Sequence, residues 1–270
     1  MEYSKTSRKF FYKMKNDIEE YMNITKKVKP IHPFAARMAP EIAFDALEGL
    51  PEGSLVLDPM AGSGTVLRTI SEFGFRGVGI DIDPLSVLMA KAWTTKIDEE
   101  LFLKNAGVIL NKALKIKDED VILPWIDEDV DTLNYINFWF APSQIKSLRK
   151  LSFFIDKYSK EYSSLYKVAL SRLIITKNRG ASLAADISHS RPHRVRTEND
   201  YDVFSEFESS CLKLARNIHP ELLCGDIKVR RGDARNLRAF NNNSVDSIIT
   251  SPPYLNALDY MRGHKPSLRE

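Results

Sequence analysis

The chain has 270 residues, of which 43% are hydrophobic and 28% are charged, and its formal net charge at pH 7 is +3. This length allows one large domain or one domain with an insertion, and the composition is ordinary for a globular protein. The first residues lack an apolar signal segment and no apolar run reaches about 20 residues, which argues against secretion and membrane insertion and predicts a cytoplasmic protein.

Neither a metal site nor a disulfide framework is predicted. The two cysteines, Cys211 and Cys224, have the spacing of neither. The five histidines have no carboxylate pattern around them. The weak positive charge neither requires nor excludes a nucleic-acid partner.

About 30 residues rich in lysine begin the chain, with tyrosine and phenylalanine interleaved. This pattern favours a solvated amphipathic helix, and a basic arm that contacts phosphates is the alternative. Residues 31–41 contain two prolines, which predict a loop before a helix that ends near Leu47.

A strand, a glycine-rich loop and a helix follow. Leu55 to Leu57 form the continuous apolar run of a buried parallel strand, which an Asp-Pro pair ends at Asp58. Gly62 and Gly64 permit a tight turn and leave room for a ligand against bare backbone. Thr65 is predicted to cap the next helix, whose first N–H groups carry a partial positive charge.

A second strand, Val78 to Ile80, ends at Asp81. This order of elements, with a glycine loop and a helix between two strands and an acid after the second, is typical of a nucleotide-type βαβ site. In such a site the Asp81 carboxylate could accept hydrogen bonds from a ribose diol. The alternative is an ordinary loop with a helix-capping aspartate. The loop lacks the Gly-Lys-Ser/Thr of a triphosphate site, and an acid at Asp58 suits a cationic ligand.

Residues 96–224 do not alternate between strands and helices, which predicts a mainly helical insertion between the second and third strands. Helical periodicity covers residues 101–116, 145–155 and 165–176. The aromatic run at residues 138–140 is interpreted as core, rather than as a surface on which bases stack.

One segment of this insertion, residues 189–196, has three arginines and two histidines in eight positions, broken by a proline. Such a segment makes a poor helix and a good phosphate-contacting loop, and a solvated basic turn is the alternative. The candidate nucleic-acid contacts are Arg191, His193, Arg194 and Arg196.

Two more strands are predicted further along the chain. Residues 227–235 indicate a strand that ends in Gly-Asp-Ala, and residues 241–244 indicate a turn. Residues 245–250 are predicted to form the fourth strand, which delivers Ser-Pro-Pro-Tyr at residues 251–254.

The Ser-Pro-Pro-Tyr segment has the groups that methylation of an exocyclic base amine needs. The lone pair of such an amine is delocalised into the ring, and acceptors that hold both amine hydrogens out of the ring plane localise it. The Ser251 hydroxyl and the Pro252 carbonyl could be these acceptors, on a loop that two prolines make rigid. Tyr254 offers a face on which an extruded base can stack.

Three segments resemble one family, the S-adenosylmethionine-dependent amino-methyltransferases that modify nucleic-acid bases. Residues 58–65 resemble its cofactor loop, Asp-Pro-Phe-x-Gly-x-Gly-Thr, with Met60 in place of the aromatic residue. Residues 31–41 resemble its segment His-Pro-Tyr-x-Ala-Lys/Arg-Phe-x-Pro, which lies over the methionine end of the cofactor. Residues 251–254 resemble the motif of DNA N4-cytosine enzymes more than the Asp-Pro-Pro-Tyr or Asn-Pro-Pro-Tyr of N6-adenine enzymes.

The resemblance implies a Rossmann-like α/β sheet, S-adenosylmethionine as cofactor, double-stranded DNA as partner and cytosine N4 as target, as in restriction–modification. It implies catalytic roles for Ser251, Pro252, Pro253 and Tyr254. In S-adenosylmethionine enzymes an acid after the third strand, here Asp233, commonly meets the adenine amine. The implied cofactor-binding residues are His32, Pro33, Phe34, Ala36, Arg37, Asp58, Pro59, Met60, Ala61, Gly62, Gly64, Thr65, Asp81, Ile82, Asp233 and Ala234.

The expected organisation is a basic arm at residues 1–30, a catalytic domain at 31–95 and 225–270, and an insertion at 96–224 for target recognition. The sheet of this family continues beyond the fourth strand, but the sequence ends 16 residues after Tyr254. The resemblance therefore implies that the sheet is only partly present. Either the chain is a truncated copy, or a second polypeptide supplies the remaining strands, or the edge of the sheet is closed in another way. The alternative functions are DNA adenine-N6 methylation, RNA guanine-N2 methylation, and a non-catalytic DNA-binding fragment or subunit of a split methyltransferase.

Overall fold

A computed structural model describes residues 29–34, 37–158, 160–174, 179–184 and 194–252. The described chain divides into two compact units. The first contains the residues up to Lys96 and those from Asn217 onward, and the second contains Ile97–Arg216.

The first unit is built on a parallel sheet of four strands. The strands are β1 (Leu55–Asp58), β2 (Arg76–Asp81), β3 (Ile227–Arg231) and β4 (Ser247–Ile248). Their order is β3-β2-β1-β4, and every neighbouring pair is parallel. The α/β class and the partial Rossmann-like sheet predicted from the sequence are confirmed. The ladder of β4 covers fewer residues than the predicted fourth strand, residues 245–250.

Helices α1 (Pro40–Leu47), α2 (Thr65–Glu72) and α3 (Pro84–Trp93) belong to the same unit. Apolar side chains from these helices and from β1 pack together with Phe75, and burial of such a cluster is the main stabilising contribution to a domain. The core includes Ala43, Leu47, Val56, Leu67, Ile70, Phe75 and Ala90. The Asp83 side chain begins α3 by accepting hydrogen bonds from the Leu85 N–H and the Ser86 hydroxyl.

A buried cation holds α2 to its surroundings. The Arg68 Nε lies 2.6 Å from Glu72 Oε1, and both side chains are almost fully buried. The same guanidinium donates to the carbonyls of Trp93 and His219 at 3.0 and 3.4 Å. The burial of Arg68 is therefore compensated by a carboxylate and two carbonyls, as a buried charge requires.

The second unit is helical. Its elements are α4 (Glu99–Lys115), α5 (Pro124–Asp127), α6 (Val130–Trp139), α7 (Pro142–Tyr158), α8 (Ser163–Ile174) and α9 (Val203–Ile218), and one 3-10 turn spans Asp118–Asp120. Asp98 caps α4 by accepting the Leu101 N–H, and Phe102 on α4 stacks on Tyr166 of α8 at a ring distance of 4.8 Å. The helices predicted at residues 101–116 and 145–155 are confirmed. The helix predicted at residues 165–176 is confirmed up to Ile174, and its last two residues lie outside the described residues.

The aromatic run of α6 differs from its prediction in part. Phe140 is buried as expected, but half of the Phe138 side chain is exposed. Its ring contacts Trp139 edge-on at 4.9 Å, and the Arg194 guanidinium lies 5.6 Å from its centre. The core interpretation was therefore wrong for Phe138, because the end of α6 presents that side chain to the surface beside the Arg194 segment.

Among the described helices, none has the length and apolar character needed to cross a membrane. The described residues also contain no group of three or more histidine, cysteine or acidic side chains that could hold a metal ion.

Candidate cofactor and substrate site

Two predicted site acids lie at the carboxyl ends of neighbouring strands. β1 ends at Asp58 and β2 ends at Asp81, and the two strands pair in parallel. In open α/β sheets, ligands bind in the crevice outside these strand ends. Burial is the main cause that raises the pKa of Asp58, and the charge of the nearby Asp81 carboxylate adds to it.

Asp81 braces the glycine loop. Its Oδ2 accepts the Gly62 N–H at 2.7 Å and its Oδ1 accepts the Asp83 N–H at 2.9 Å, while the Ala61 N–H donates to the Ile80 carbonyl at 2.9 Å. Burial raises the pKa of Asp81, and these N–H donors act against that shift. Helix capping belongs to Asp83 instead, so the alternative that Asp81 is an ordinary capping aspartate is wrong.

The two glycines of the loop are required for different reasons. Gly62 has φ +51°, and a Cβ there would lie 3.3 Å from the Phe34 ring. Gly64 has φ +89°, and a Cβ there would lie 2.8 Å from the Cα of Ala90 in α3. Both φ values are in the left-handed region that favours glycine. Phe34, from the segment before the loop, therefore lies against the loop backbone.

Thr65 does not cap α2, which corrects its predicted role. Gly64 holds the N-cap position and Thr65 is the first helical residue, so its side chain is wrongly placed to accept an N–H of the first turn. The Thr65 hydroxyl is buried, and no hydrogen-bond partner reaches it within the described part of the chain. A buried hydroxyl without a partner costs free energy, and a ligand at the loop would remove that cost.

Asp58 is almost completely buried, with 1% of its surface exposed. Its Oδ1 accepts the Thr250 hydroxyl at 2.7 Å and the Met60 N–H at 3.2 Å. Burial raises the pKa of Asp58 to about 6, against the lowering effect of these two hydrogen bonds. Thr250, the residue before Ser251, was not predicted as a site residue, and its position at the end of the fourth strand was the only available signal.

The segment before the loop is held by Arg37. Its guanidinium donates to the His32 carbonyl and lies 5.8 Å from the centre of the Trp93 ring. Burial lowers the pKa of Arg37 to about 10. Ile31 is buried, Pro33 is exposed, and Ala36 lies outside the described residues.

Two predicted site residues lie just after β2 and β3. The apolar Ile82 is exposed, and the acid Asp233 forms an ion pair with Arg235. Ile82, directly after Asp81, has 60% of its surface exposed. Asp233 follows β3 and is bound by both Nε and a terminal nitrogen of Arg235 at 2.6 to 3.1 Å. These hydrogen bonds lower the pKa of Asp233 to about 2. Arg235 was not predicted, and it occupies both oxygens of the carboxylate expected to meet an adenine amine.

The Ser-Pro-Pro-Tyr motif is described only in part. Ser251 is half-buried and Pro252 is exposed, while Pro253 and Tyr254 lie outside the described residues. Ile249 before them is anchored to β1, since its N–H donates to the Leu57 carbonyl at 3.0 Å. The structure therefore brings Ser251 to the end of β1, next to the Thr250–Asp58 hydrogen bond.

In the second unit, Arg194 and Arg196 are the described members of the predicted nucleic-acid loop. Arg194 Nε donates to the Arg196 carbonyl at 3.2 Å, and the Val195 N–H donates to the Leu183 carbonyl at 3.1 Å. Arg194 is exposed. Arg191 and His193 lie outside the described residues.

The residues around the glycine loop fit an S-adenosylmethionine-like cofactor. The hydroxyl of Thr65, which has no partner among the described residues, and the carboxylate of Asp81 offer polar contacts. Exposed Ile82 offers an apolar face, and the buried carboxylate of Asp58 would stabilise a cationic group. This arrangement can hold a ribose and a positively charged group next to the turn at Ser251 and Pro252, which offers hydrogen-bond acceptors.

Comparison with known proteins gives matches of modest identity. The chain is 27% identical over 153 residues to the Type II methyltransferase M.MjaII of Methanocaldococcus jannaschii, which covers 55% of this chain and 28% of that protein. It is 23% identical over 265 residues to M.MvaI of Kocuria varians, covering 88% and 57%, and 23% identical over 253 residues to M.BsoBI of Geobacillus stearothermophilus, covering 79% and 46%.

No protein-family model matches the chain. The chain spans between about a quarter and three-fifths of the length of these curated relatives. The chain, with its parallel α/β sheet and glycine loop, is thus similar over part of its length to proteins named Type II methyltransferases.

Proposed function

We propose that this chain carries the catalytic part of a DNA methyltransferase that transfers a methyl group from S-adenosylmethionine to the exocyclic N4 of cytosine. The observation that carries the proposal is the hydrogen bond from Thr250 to Asp58. It joins the residue before Ser251 to the acid that begins the glycine loop, so cofactor-binding and amine-binding groups adjoin. Similarity to three Type II methyltransferases supports the same reaction class.

When bound, the cofactor supplies an electrophilic methyl group on a sulfonium. The Asp81 carboxylate and the Thr65 hydroxyl would hold its ribose side, and the Asp58 carboxylate its cationic part. The Ser251 hydroxyl and the Pro252 carbonyl would accept the two hydrogens of the base amine and localise its lone pair. As the amine nitrogen would bond to the methyl carbon, the carbon–sulfur bond would break with its electron pair left on sulfur, giving S-adenosylhomocysteine. The amine proton would then pass to solvent water.

The deciding experiment incubates the purified chain with labelled S-adenosylmethionine and either mixed-sequence duplex DNA or total tRNA, followed by nucleoside identification. N4-methylcytosine in DNA supports the proposal, and N6-methyladenine keeps the reaction class but corrects the base. Label confined to tRNA would replace DNA by RNA as the substrate. Cofactor binding without product favours the non-catalytic subunit.

Ser251→Ala is expected to lower kcat by about 100-fold or more, because it removes one preorganised acceptor of the amine hydrogens. S-adenosylhomocysteine affinity, measured by titration calorimetry, should stay within twofold. Ser244→Ala, in the exposed turn before β4, is the matched control and should retain full activity. Equal kcat for Ser251→Ala and the unmodified chain would remove Ser251 from the proposal.

The DNA contact proposed for Arg194 and Arg196 is tested by salt dependence. Each of Arg194→Gln and Arg196→Gln is expected to reduce the slope of log affinity against log salt by about 0.9, since each removes one phosphate contact. Lys213→Gln, an exposed charge on α9, is the matched control. Slopes that are unchanged in both arginine variants would place the DNA contact elsewhere.

An alternative to activity of this chain alone is that a second polypeptide completes the sheet. β4 forms one edge of the described sheet, and 56% of the Ile248 surface on it is exposed. An uncovered apolar edge strand is a site for pairing with another strand. Full methylation activity by the purified chain alone would make such a partner unnecessary.

A further inference from the structure

The pairing of β4 with β1 brings the Thr250 hydroxyl within hydrogen-bond distance of Asp58. Leu57 is the partner of Ile248 in the ladder, and the next bond runs from the Ile249 N–H to the Leu57 carbonyl. Continuing this parallel register by one residue places Ile249 beside Asp58, the last residue of β1, so that Thr250 follows directly and its hydroxyl reaches the Asp58 carboxylate. The contact joins residues 192 positions apart in the chain.

The two oxygens of the Asp58 carboxylate have different surroundings. Oδ1 accepts both hydrogen bonds, the short one from the Thr250 hydroxyl and the longer one from the Met60 N–H. Within the described residues, no donor reaches Oδ2. With Oδ1 occupied by donors from two different elements, the carboxylate is held in one orientation, and Oδ2 is left available to a ligand.

We infer that Thr250 is a positioning residue whose hydroxyl orients the Asp58 carboxylate toward a cationic group of the cofactor and ties that carboxylate to the amine-binding turn at Ser251. This inference rests on the proposed function and deepens it. Thr250 touches neither substrate nor cofactor in this assignment. It acts through Asp58 on one side and through its peptide bond to Ser251 on the other.

Two features make the hydroxyl, rather than the shape of the side chain, the functional part. First, a hydrogen bond to a charged acceptor is roughly twice as strong as one between neutral groups. Second, Asp58 is almost completely buried, so loss of this donor is not compensated by water. Removal of the hydroxyl should therefore destabilise the ionised form of Asp58 and leave the carboxylate free to rotate.

The test uses two variants that separate hydroxyl from shape. Thr250→Val keeps the branched shape and loses the hydroxyl, whereas Thr250→Ser keeps the hydroxyl and loses the methyl group. Thr94→Val is the matched control, because it also removes a hydroxyl hydrogen bond in the first unit, to the Ala90 carbonyl at 2.8 Å. Affinities for S-adenosylmethionine and S-adenosylhomocysteine are measured by calorimetry, and the titration of Asp58 is followed by carboxyl carbon NMR.

The expected result for Thr250→Val is a tenfold or greater loss of S-adenosylmethionine affinity and a higher pKa for Asp58, since the Thr250 hydrogen bond lowers that pKa. Thr250→Ser and Thr94→Val should remain within about threefold of the unmodified chain. Equal loss of S-adenosylhomocysteine affinity identifies the amino acid ammonium as the group at Asp58. Loss for S-adenosylmethionine alone identifies the sulfonium.

Other outcomes separate this inference from the function on which it rests. If the unmodified chain binds the cofactor and Thr250→Val binds it equally well, the inference is overturned and the proposed function stands. Thr250→Ser losing as much affinity as Thr250→Val overturns it too, because packing would then be the cause. If the unmodified chain binds neither compound, the proposed function and the inference both fail, while the NMR titration still reports whether Thr250 sets the pKa of Asp58.

Discussion

Asp58→Asn is expected to stabilise the fold at neutral pH and to abolish cofactor binding. The Asp58 carboxylate is almost fully buried, and its pKa is raised to about 6 from 3.8. A buried acid with a raised pKa binds its proton more tightly in the folded chain, so folding is favoured at low pH and that contribution is lost as pH rises. Asparagine carries no charge and keeps an oxygen for Thr250 and Met60.

The pH window follows from these two pKa values. The free energy of unfolding of Asp58→Asn minus that of the unmodified chain should be near zero at pH 4. It should then rise by about 1.4 kcal/mol per pH unit up to pH 6 and level off at up to about 3 kcal/mol. Over the same neutral range, S-adenosylmethionine affinity should fall by at least 100-fold, because the cationic group would lose its buried counter-charge.

Urea denaturation at a series of pH values and calorimetric cofactor titrations measure both effects. Asp45→Asn, which neutralises an exposed carboxylate on α1 in the same unit, is the matched control and should change neither quantity. A stability difference that does not depend on pH would show that Asp58 is ionised as easily in the folded chain as in the unfolded chain. Retained cofactor affinity would remove Asp58 from the site.

Gly64→Ala is expected to destabilise the first unit by about 2–5 kcal/mol and to eliminate cofactor binding. A left-handed residue with a Cβ costs about 1–2 kcal/mol, and an overpacked contact costs about 1–3 kcal/mol more. The new Cβ would lie 2.8 Å from the Cα of Ala90, which cannot move away without shifting α3. The glycine loop would therefore have to open from α3.

Gly74→Ala supplies the control, because Gly74 has φ +75° but nothing within 4 Å of the added Cβ. It should cost only the conformational term, about 1–2 kcal/mol, and leave cofactor affinity unchanged. Urea denaturation curves and cofactor titrations on both variants separate the two contributions. Equal destabilisation by the two substitutions would mean that contact with α3 does not require the glycine at position 64.

The parallel sheet and the position of the glycine loop were predictable because their signals are local. An apolar run such as residues 55–57, followed by an Asp-Pro pair and two glycines, is compatible with few structures other than a buried strand that ends in a tight loop. The acid at the end of the second strand was predictable for the same reason. The Asp81 carboxylate accepts a hydrogen bond from the Gly62 N–H, so this one side chain links the end of the second strand to the glycine loop. That link explains the spacing between the two segments.

Contacts between site residues that are distant in the sequence could be seen only in the tertiary structure. The Thr250–Asp58 hydrogen bond follows from β4 pairing with β1, and strand order is a property of the whole sheet. The contact of Phe34 with the backbone at Gly62 also depends on where separate segments end. The fold class, the glycine loop and its acids could be predicted from the residues alone, because backbone geometry and hydrophobic periodicity act over a few residues. Burial, and with it the charge state of Asp58, depends on packing between distant segments, so only the folded chain could decide it.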